Sequence, residues 1–272
     1  MKNNDFFQKK TDLDDEIRKF QSLAVAFSGG VDSTFLLMMA KKRLGDNVLA
    51  IIVKTPMLPE QEEVEAVSLL KKENIRFSII TPDILSVDEF VKNDKERCYF
   101  CKKVLFGEIM NEANKYGYKT IAHGVNTDDY DDYRPGLKAA EELGFISPLA
   151  DSYYSKDDIR KASREMGLKT ADKPAMACLA SRIPYGDQIT EKKLGEIESA
   201  EVIIKDLGFS LYRVRHHGDT ARIEVTVEDF KRIFSDDIRL TIIEKFKQIG
   251  FMYISVDLAG YSQGSMNRQI AI

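Results

Sequence analysis

Ser22-Leu23-Ala24-Val25-Ala26-Phe27 is a short apolar run that stops at Ser28-Gly29-Gly30 and gives way to Asp32–Leu44, where apolar residues recur at helical spacing. A run with no polar alternation has both faces covered, which is the mark of a strand inside a parallel sheet. The pattern then repeats. Val48–Val53 is a second apolar strand, Pro59-Glu60 opens a helix carrying Val64, Val67 and Leu70, and Phe77–Ile80 is a third strand. Cys101–Tyr116 reads as a helix and Thr120–His123 as a fourth strand ahead of Gly124. Strands alternating with helices predict crossover units and an α/β fold with a parallel sheet covered on both faces. Leu13, Ile17 and Phe20 add a short amphipathic helix in front.

After about Gly186 the pattern changes. A charged helix over Glu191–Leu207 stops at Gly208, and two alternating strands, Leu211–His216 and Ala221–Val225, flank a turn to which His216 and His217 are assigned. A helical stretch, Glu228–Ile249, with a break near Ser235-Asp236, leads to a last strand at Tyr253–Leu258. Two domains are expected: residues 1–186 for catalysis, and a smaller α+β domain over 187–272 for substrate binding or oligomerisation.

Ser28-Gly29-Gly30-Val31-Asp32-Ser33-Thr34 sits where a strand hands over to a helix. Paired glycines let the backbone turn tightly and approach a ligand, and the new helix offers free N–H groups and its positive dipole end. Ser28, Ser33 and Thr34 add hydroxyls, while Asp32 suits a helix cap or a magnesium ion. This suits an anion site fit for pyrophosphate, or else an ordinary glycine turn with a Ser or Asp N-cap. It has no G-x-x-x-x-G-K-[ST] lysine, so it is not a Walker loop, and no G-x-G-x-x-G run points to a dinucleotide. Gly124, at the end of the fourth strand, opens Asn126-Thr127-Asp128-Asp129, which suits ribose, magnesium or an activated substrate, or else is a solvated acidic loop.

Cys98-Tyr99-Phe100-Cys101 is a C-x-x-C, and Cys178 lies far downstream. Three thiolates without a fourth suit a [4Fe–4S] cluster with one open iron. A zinc site would need His123, His216 or His217 as a fourth ligand, and three unrelated buried thiols is the third reading. Arg213 and Arg215 fall on one face of a strand, able to hold a phosphate or carboxylate or to guard an exposed edge.

Taken together, the PP-loop residues, Asp132-Tyr133-Arg134-Pro135-Gly136-Leu137-Lys138, Cys178–Gly186, and the segments Arg213-Val214-Arg215 and Arg222-Ile223-Glu224 resemble the LarE family of the PP-loop ATP pyrophosphatase superfamily. The resemblance implies an adenine nucleotide alpha hydrolase-like domain that binds ATP with Mg²⁺ through Ser28, Gly29, Gly30, Asp32, Ser33, Thr34 and Gly124. It also implies an ATP-dependent sulfur transferase that adenylylates the carboxylates of a pyridinium dicarboxylate mononucleotide. Sulfur replaces the activated oxygen and gives the thiocarboxylates of the nickel-pincer nucleotide used by lactate racemase. Substrate contacts fall to Arg134, Ser181, Arg182, Arg213 and Arg215.

In one branch of the family a cysteine at the position of Cys178 gives up its own sulfur, and that branch lacks the C-x-x-C. The three-cysteine pattern resembles the cluster-bearing branch instead, with Cys98, Cys101 and Cys178 as cluster ligands and sulfide or another donor as sulfur source. Homo-oligomers are a family expectation. Cluster-dependent tRNA thiolation is the alternative within the superfamily, and a zinc-stabilised adenylate sensor is the alternative outside catalysis.

Composition counts against the tRNA alternative. Forty Lys and Arg against forty-four Asp and Glu leave a net charge of −4, which argues against a nucleic-acid partner. No apolar run reaches membrane-spanning length, the polar Met1–Lys10 is no secretory signal, and three cysteines without such a signal point to the reducing cytoplasm.

Overall fold

The computed structural model describes residues 2–130, 135–174 and 178–262. In chain order the first elements are α1 (Lys2–Arg18), β1 (Leu23–Ala26), α2 (Val31–Leu44), β2 (Val48–Val53), α3 (Glu60–Lys72) and β3 (Arg76–Ile80). The short α4 (Asp88–Val91), then α5 (Arg97–Lys115), β4 (Ile121–His123), α6 (Pro135–Glu142), α7 (Pro148–Asp151) and α8 (Lys156–Glu165) follow. The chain ends with α9 (Glu191–Asp206), β5 (Tyr212–His217), β6 (Thr220–Val225), α10 (Phe230–Ile233), α11 (Asp236–Ile249) and β7 (Tyr253–Val256).

The first unit comprises the described residues among Met1–Thr55, Glu60–Ile84 and Cys98–Met176. Its sheet has the order β3-β2-β1-β4, with every pair parallel. Both faces are covered, as the apolar runs predict. Leu23, Val25, Val48, Ala50 and Ile52 pack with Leu13, Ile17, Phe35, Tyr154 and Ile159 on one side. Ala24, Leu49 and Ile51 pack with Phe106, Ile109, Ala139 and Phe145 on the other. Alternate residues of one strand therefore serve two cores, which is why these strands show no polar alternation. From β1 the chain moves outward through β2 to β3, and then returns to place β4 on β1's other side. The strand order reverses between β1 and β4, where an open α/β sheet forms a crevice at the carboxyl ends of its strands.

The second unit takes the described residues from Cys178 onward together with Pro56–Pro59 and Leu85–Arg97. A single boundary between 186 and 187 has no means of expressing those two insertions. Its sheet has the order β5-β6-β7, antiparallel in the first pair and parallel in the second. Val214, Ala221, Ile223 and Val225 face Ala200, Ile204, Ile242 and Phe246 from α9 and α11. His216 and His217 are the last residues of β5, paired with Ala221 and Thr220, and not part of the turn. The antiparallel pairing continues through them, and the reversal falls on Gly218-Asp219, with Gly218 at φ +60°.

Candidate active site

The turn after β1 is held by its own hydroxyls. Ser33 Oγ lies 3.1 Å from Ser28 Oγ, donates to the carbonyl of Gly30 at 3.2 Å, and is 3.3 Å from the amide of Ser28. Gly29 has φ +71°, a conformation that L side chains rarely adopt, and a Cβ there would stand 3.2 Å from the Ala66 methyl on α3. Gly30 is the residue before α2 and supplies no side-chain cap, so the first N–H groups of that 14-residue helix have no capping side chain. An uncapped helix start beneath a tight glycine turn is an anion cradle. Thr34 lies deeper: its side chain is enclosed, and its hydroxyl has no partner among the described residues.

Gly124 closes the cradle from β4. A Cβ on it would lie 2.7 Å from the amide nitrogen of Ser33 and 3.0 Å from the carbonyl carbon of Asp32. Only a bare backbone fits against the helix start at that point. Beyond it, Asn126 Nδ2 approaches Asp32 at 3.5 Å, and the Asp129 carboxylate accepts the Asn126 amide at 3.0 Å. Asp128 accepts the backbone N–H of Lys156 at 2.9 Å. The acidic loop is therefore ordered against the cradle by specific bonds.

Lys156, not among the residues singled out in the sequence, completes this group. Its ammonium pairs with the carboxylate of Asp32. It is the first residue of α8, whose start is fixed by a capping box between Ser155 and Asp158. The cation missing from the glycine loop thus arrives from a different helix. A Ser-Lys-Asp-Asp run carrying a Ser155…Asp158 box was the available signal for that helix start.

Next to Gly124, His123 is buried between the Phe106 and Phe145 rings, with Nε2 2.7 Å from Ser147 Oγ. Burial, and then the nearby Lys102 ammonium, lower its pKa to about 4, so the imidazole is neutral near pH 7.

Cys98 and Cys101 occupy positions i and i+3 of α5, one exposed and one buried, and share a helix face. The start of α6 lies over them: a Cβ at Gly136 would meet Lys102 Cγ at 2.8 Å and the Cys98 carbonyl at 3.5 Å. Arg134 lies outside the described residues. Disulfides take up none of the three cysteines. Among the described residues no three His, Cys, Asp or Glu side chains form a ready metal cage.

In the second unit, Cys178 leads into a single 3₁₀ turn, Leu179–Arg182. Arg182 is enclosed, forms a bidentate pair with Glu201 at 2.9 and 3.1 Å, and donates to the Cys178 carbonyl and to Ser181 Oγ. Arg215 forms a second bidentate pair with Glu224 at 2.9 and 2.7 Å and donates to the Ser181 carbonyl. Arg213 differs from both. Its Nη1 donates to the Tyr212 carbonyl, its guanidinium lies 5.3 Å from the Tyr261 ring centre, and no carboxylate pairs with it among the described residues. Burial, and then the neighbouring Arg182 guanidinium, draw its pKa down. Ser181, Arg182, Arg213 and Arg215 are thus gathered around the turn that follows Cys178, with Arg213 the one of the three guanidiniums that pairs with no carboxylate among the described residues.

Along almost its whole length, the sequence is 35% identical to the pyridinium-3,5-bisthiocarboxylic acid mononucleotide synthase of Lactiplantibacillus plantarum, over 95% of this chain and 94% of that one. The chain belongs to the LarE family. An uncharacterized protein of Synechocystis sp. is 38% identical over 90% of this chain and 91% of its own. A profile described as NAD synthase matches residues 7–109, the stretch that runs through the cradle to α5. One chain of the glutamine-hydrolyzing GMP synthase of Thermoplasma volcanium is 26% identical over 66% of this chain and 62% of its own. The LarE-family likeness extends through β5 and β6, so the arginine-bearing unit belongs to it as well as the PP-loop unit.

Proposed function

We propose that this protein is an ATP-dependent sulfur transferase that adenylylates carboxylates of a pyridinium dicarboxylate mononucleotide and converts them to thiocarboxylates. The observation that carries this reading is the uncapped start of α2, enclosed by Ser28, Gly29, Gly30, Ser33 and Gly124 and flanked by Lys156. Such a cradle binds the triphosphate, and its amides and Lys156 stabilise the departing pyrophosphate as charge develops. Asp32, in the first turn of α2 and beside Asn126, would hold a Mg²⁺, which would supply charge neutralisation. Adenylylation makes AMP the leaving group where carboxylate oxygen was a poor one. Arg213 receives the anionic mononucleotide, while Arg182 and Arg215 hold Ser181 and the Cys178 turn.

Cys98, Cys101 and Cys178 are the proposed ligands of a [4Fe–4S] cluster. The donor set fits in one respect: two thiols share a face of α5, and no disulfide removes any of the three. Bound there, the group supplies an iron position open to sulfide. The family resemblance carries the rest of this reading, a homo-oligomer in the cytoplasm. No described helix is long and apolar enough to cross a membrane.

The test is the fate of Cys178. After several turnovers with ATP, mononucleotide and sulfide, mass spectrometry of the cluster-loaded protein should find Cys178 intact while thiocarboxylate accumulates. Stoichiometric dehydroalanine at that position would replace the cluster with a sacrificial cysteine.

A further inference from the structure

Beyond β7 the chain stays fastened to the end of β6. The Asp257 amide donates to the Ile223 carbonyl at 2.9 Å, and the Tyr261 amide to that of Val225 at 2.8 Å. Between these bonds it makes a tight turn: Ala259 N–H donates to Asp257 Oδ1 at 2.9 Å, and Gly260 N–H to the Asp257 carbonyl at 3.0 Å. Gly260 has φ +72°, and a Cβ on it would stand 3.1 Å from Val227 Cγ2 and 3.2 Å from the Val225 carbonyl oxygen. Glycine is what lets the turn close against β6. Val225 is the register partner of Tyr212, the residue before Arg213. The turn therefore delivers Tyr261 to Arg213, with the ring centre 5.3 Å from the guanidinium carbon. All of these residues belong to the second unit.

The arginines around the Cys178 turn are stabilised in two different ways. Arg182 forms a bidentate pair with Glu201, and Arg215 with Glu224. Such a pair commits the planar fork of each guanidinium to a carboxylate. Arg213 gives one N–H to the Tyr212 carbonyl and meets an aromatic ring where its neighbours meet an acid. It is half-buried, and both burial and the Arg182 charge weigh against its own charge, so the guanidinium needs compensation. A ring supplies it by attracting the cation to its negative face. That attraction consumes none of the N–H donors, whereas a carboxylate would compete for them with a ligand.

We propose that Tyr261 is a positioning residue for the anionic mononucleotide: its ring offsets the burial of the Arg213 guanidinium and holds it in place, leaving its donors to a phosphate or carboxylate. This inference rests on the reading that Arg213 receives the mononucleotide. The demand is for an aromatic face, and the phenol oxygen is not part of it. Phe should serve nearly as well, Trp at least as well, and Leu poorly.

The experiment compares the parent with Tyr261→Phe, Tyr261→Trp and Tyr261→Leu, each also combined with Arg213→Ala, by steady-state pyrophosphate release and urea midpoint. Tyr261→Leu should raise KM for the mononucleotide about fivefold, the scale of a partly exposed cation–π contact, and leave kcat and KM for ATP within about twofold. Phe and Trp should stay within about twofold of the parent in every constant. Combined with Arg213→Ala, Tyr261→Leu should raise KM no further, because the ring acts through the guanidinium. A parent-like KM in Tyr261→Leu would overturn the proposal. So would the same rise in the absence of Arg213, which makes Tyr261 a contact in its own right. Equal losses of KM, kcat and urea midpoint in the Leu, Phe and Trp variants would reduce Tyr261 to scaffold. Arg213→Ala with the parent's KM overturns the Arg213 reading and the proposal with it, whereas a failure confined to Tyr261 leaves that reading standing.

Discussion

Lys156 pairs with Asp32 across 124 positions of sequence, placing an ammonium at the start of α2 where the glycine loop supplies none. Two helix starts, those of α2 and α8, are thereby joined at one carboxylate. Lys156→Ala should leave the fold intact, because the pair is partly exposed and contributes little stability. Pyrophosphate release should fall about a hundredfold, the scale for removing a preorganised charge-stabilising donor. Lys156→Arg should restore part of it. Parent-like release in Lys156→Ala would remove the residue from the triphosphate site.

Gly124 is the most restrictive position in the cradle. Its missing Cβ would meet the Ser33 amide and the Asp32 carbonyl carbon, both backbone, so no rotamer change relieves the clash. Gly124→Ala should lower stability by about 1–3 kcal/mol and abolish ATP-dependent pyrophosphate release. Gly107 is the control. It lies inside α5 with nothing within 4 Å of an added methyl, so Gly107→Ala should raise stability by about 1 kcal/mol. Thermal midpoints for the two variants should move in opposite directions.

The cradle was legible because its chemistry is local: strand, two glycines, hydroxyls and helix follow within one stretch, Ser22–Thr34. Lys156 was not, since its partnership depends on the order β3-β2-β1-β4 and on α8. That helix presents only Ile159, Ala162 and Ser163 to the core, too few large apolar groups to announce a period. Tyr261 was hidden for a related reason. It lies beyond the last strand, and its place beside Arg213 depends on the turn that closes against β6. The two arginines of β5 do share one face, but alternation says nothing about whether a carboxylate meets either of them across the sheet.

His123 should leave a signature in acid. Its folded pKa of about 4 lies below the usual histidine value, so between about pH 6.5 and 4 the unfolded chain binds a proton that the folded chain refuses. The stability it permits is fully present above pH 6.5 and is lost as the pH falls toward 4, by about 3 kcal/mol at the limit. Urea midpoints taken across that window should fall with pH in the parent and fall less in His123→Gln. Equal slopes would mean that the imidazole is solvated in the folded protein.

Arg213 and Arg215 should behave differently although they share a strand face. Arg215 forms a bidentate pair with Glu224, a residue with no exposed surface, and also holds the Ser181 carbonyl. Arg215→Ala leaves that carboxylate buried beside the partly exposed Arg222, 3.1 Å away. Breaking such a pair from one side costs about 3–5 kcal/mol. Arg213 has no carboxylate partner among the described residues, and burial, then the neighbouring Arg182 guanidinium, draw its pKa down. Arg213→Ala should therefore keep the parent's urea midpoint and its requirement for ATP, and raise the requirement for mononucleotide about tenfold or more. Arg213→Lys should recover only part of the affinity, because an ammonium lacks the planar fork that grips a phosphate or carboxylate with two parallel bonds. Chemical denaturation and substrate titration on the same preparations separate the two residues. A stability loss in Arg213→Ala matching that in Arg215→Ala, with mononucleotide affinity unchanged, would assign both arginines to the scaffold.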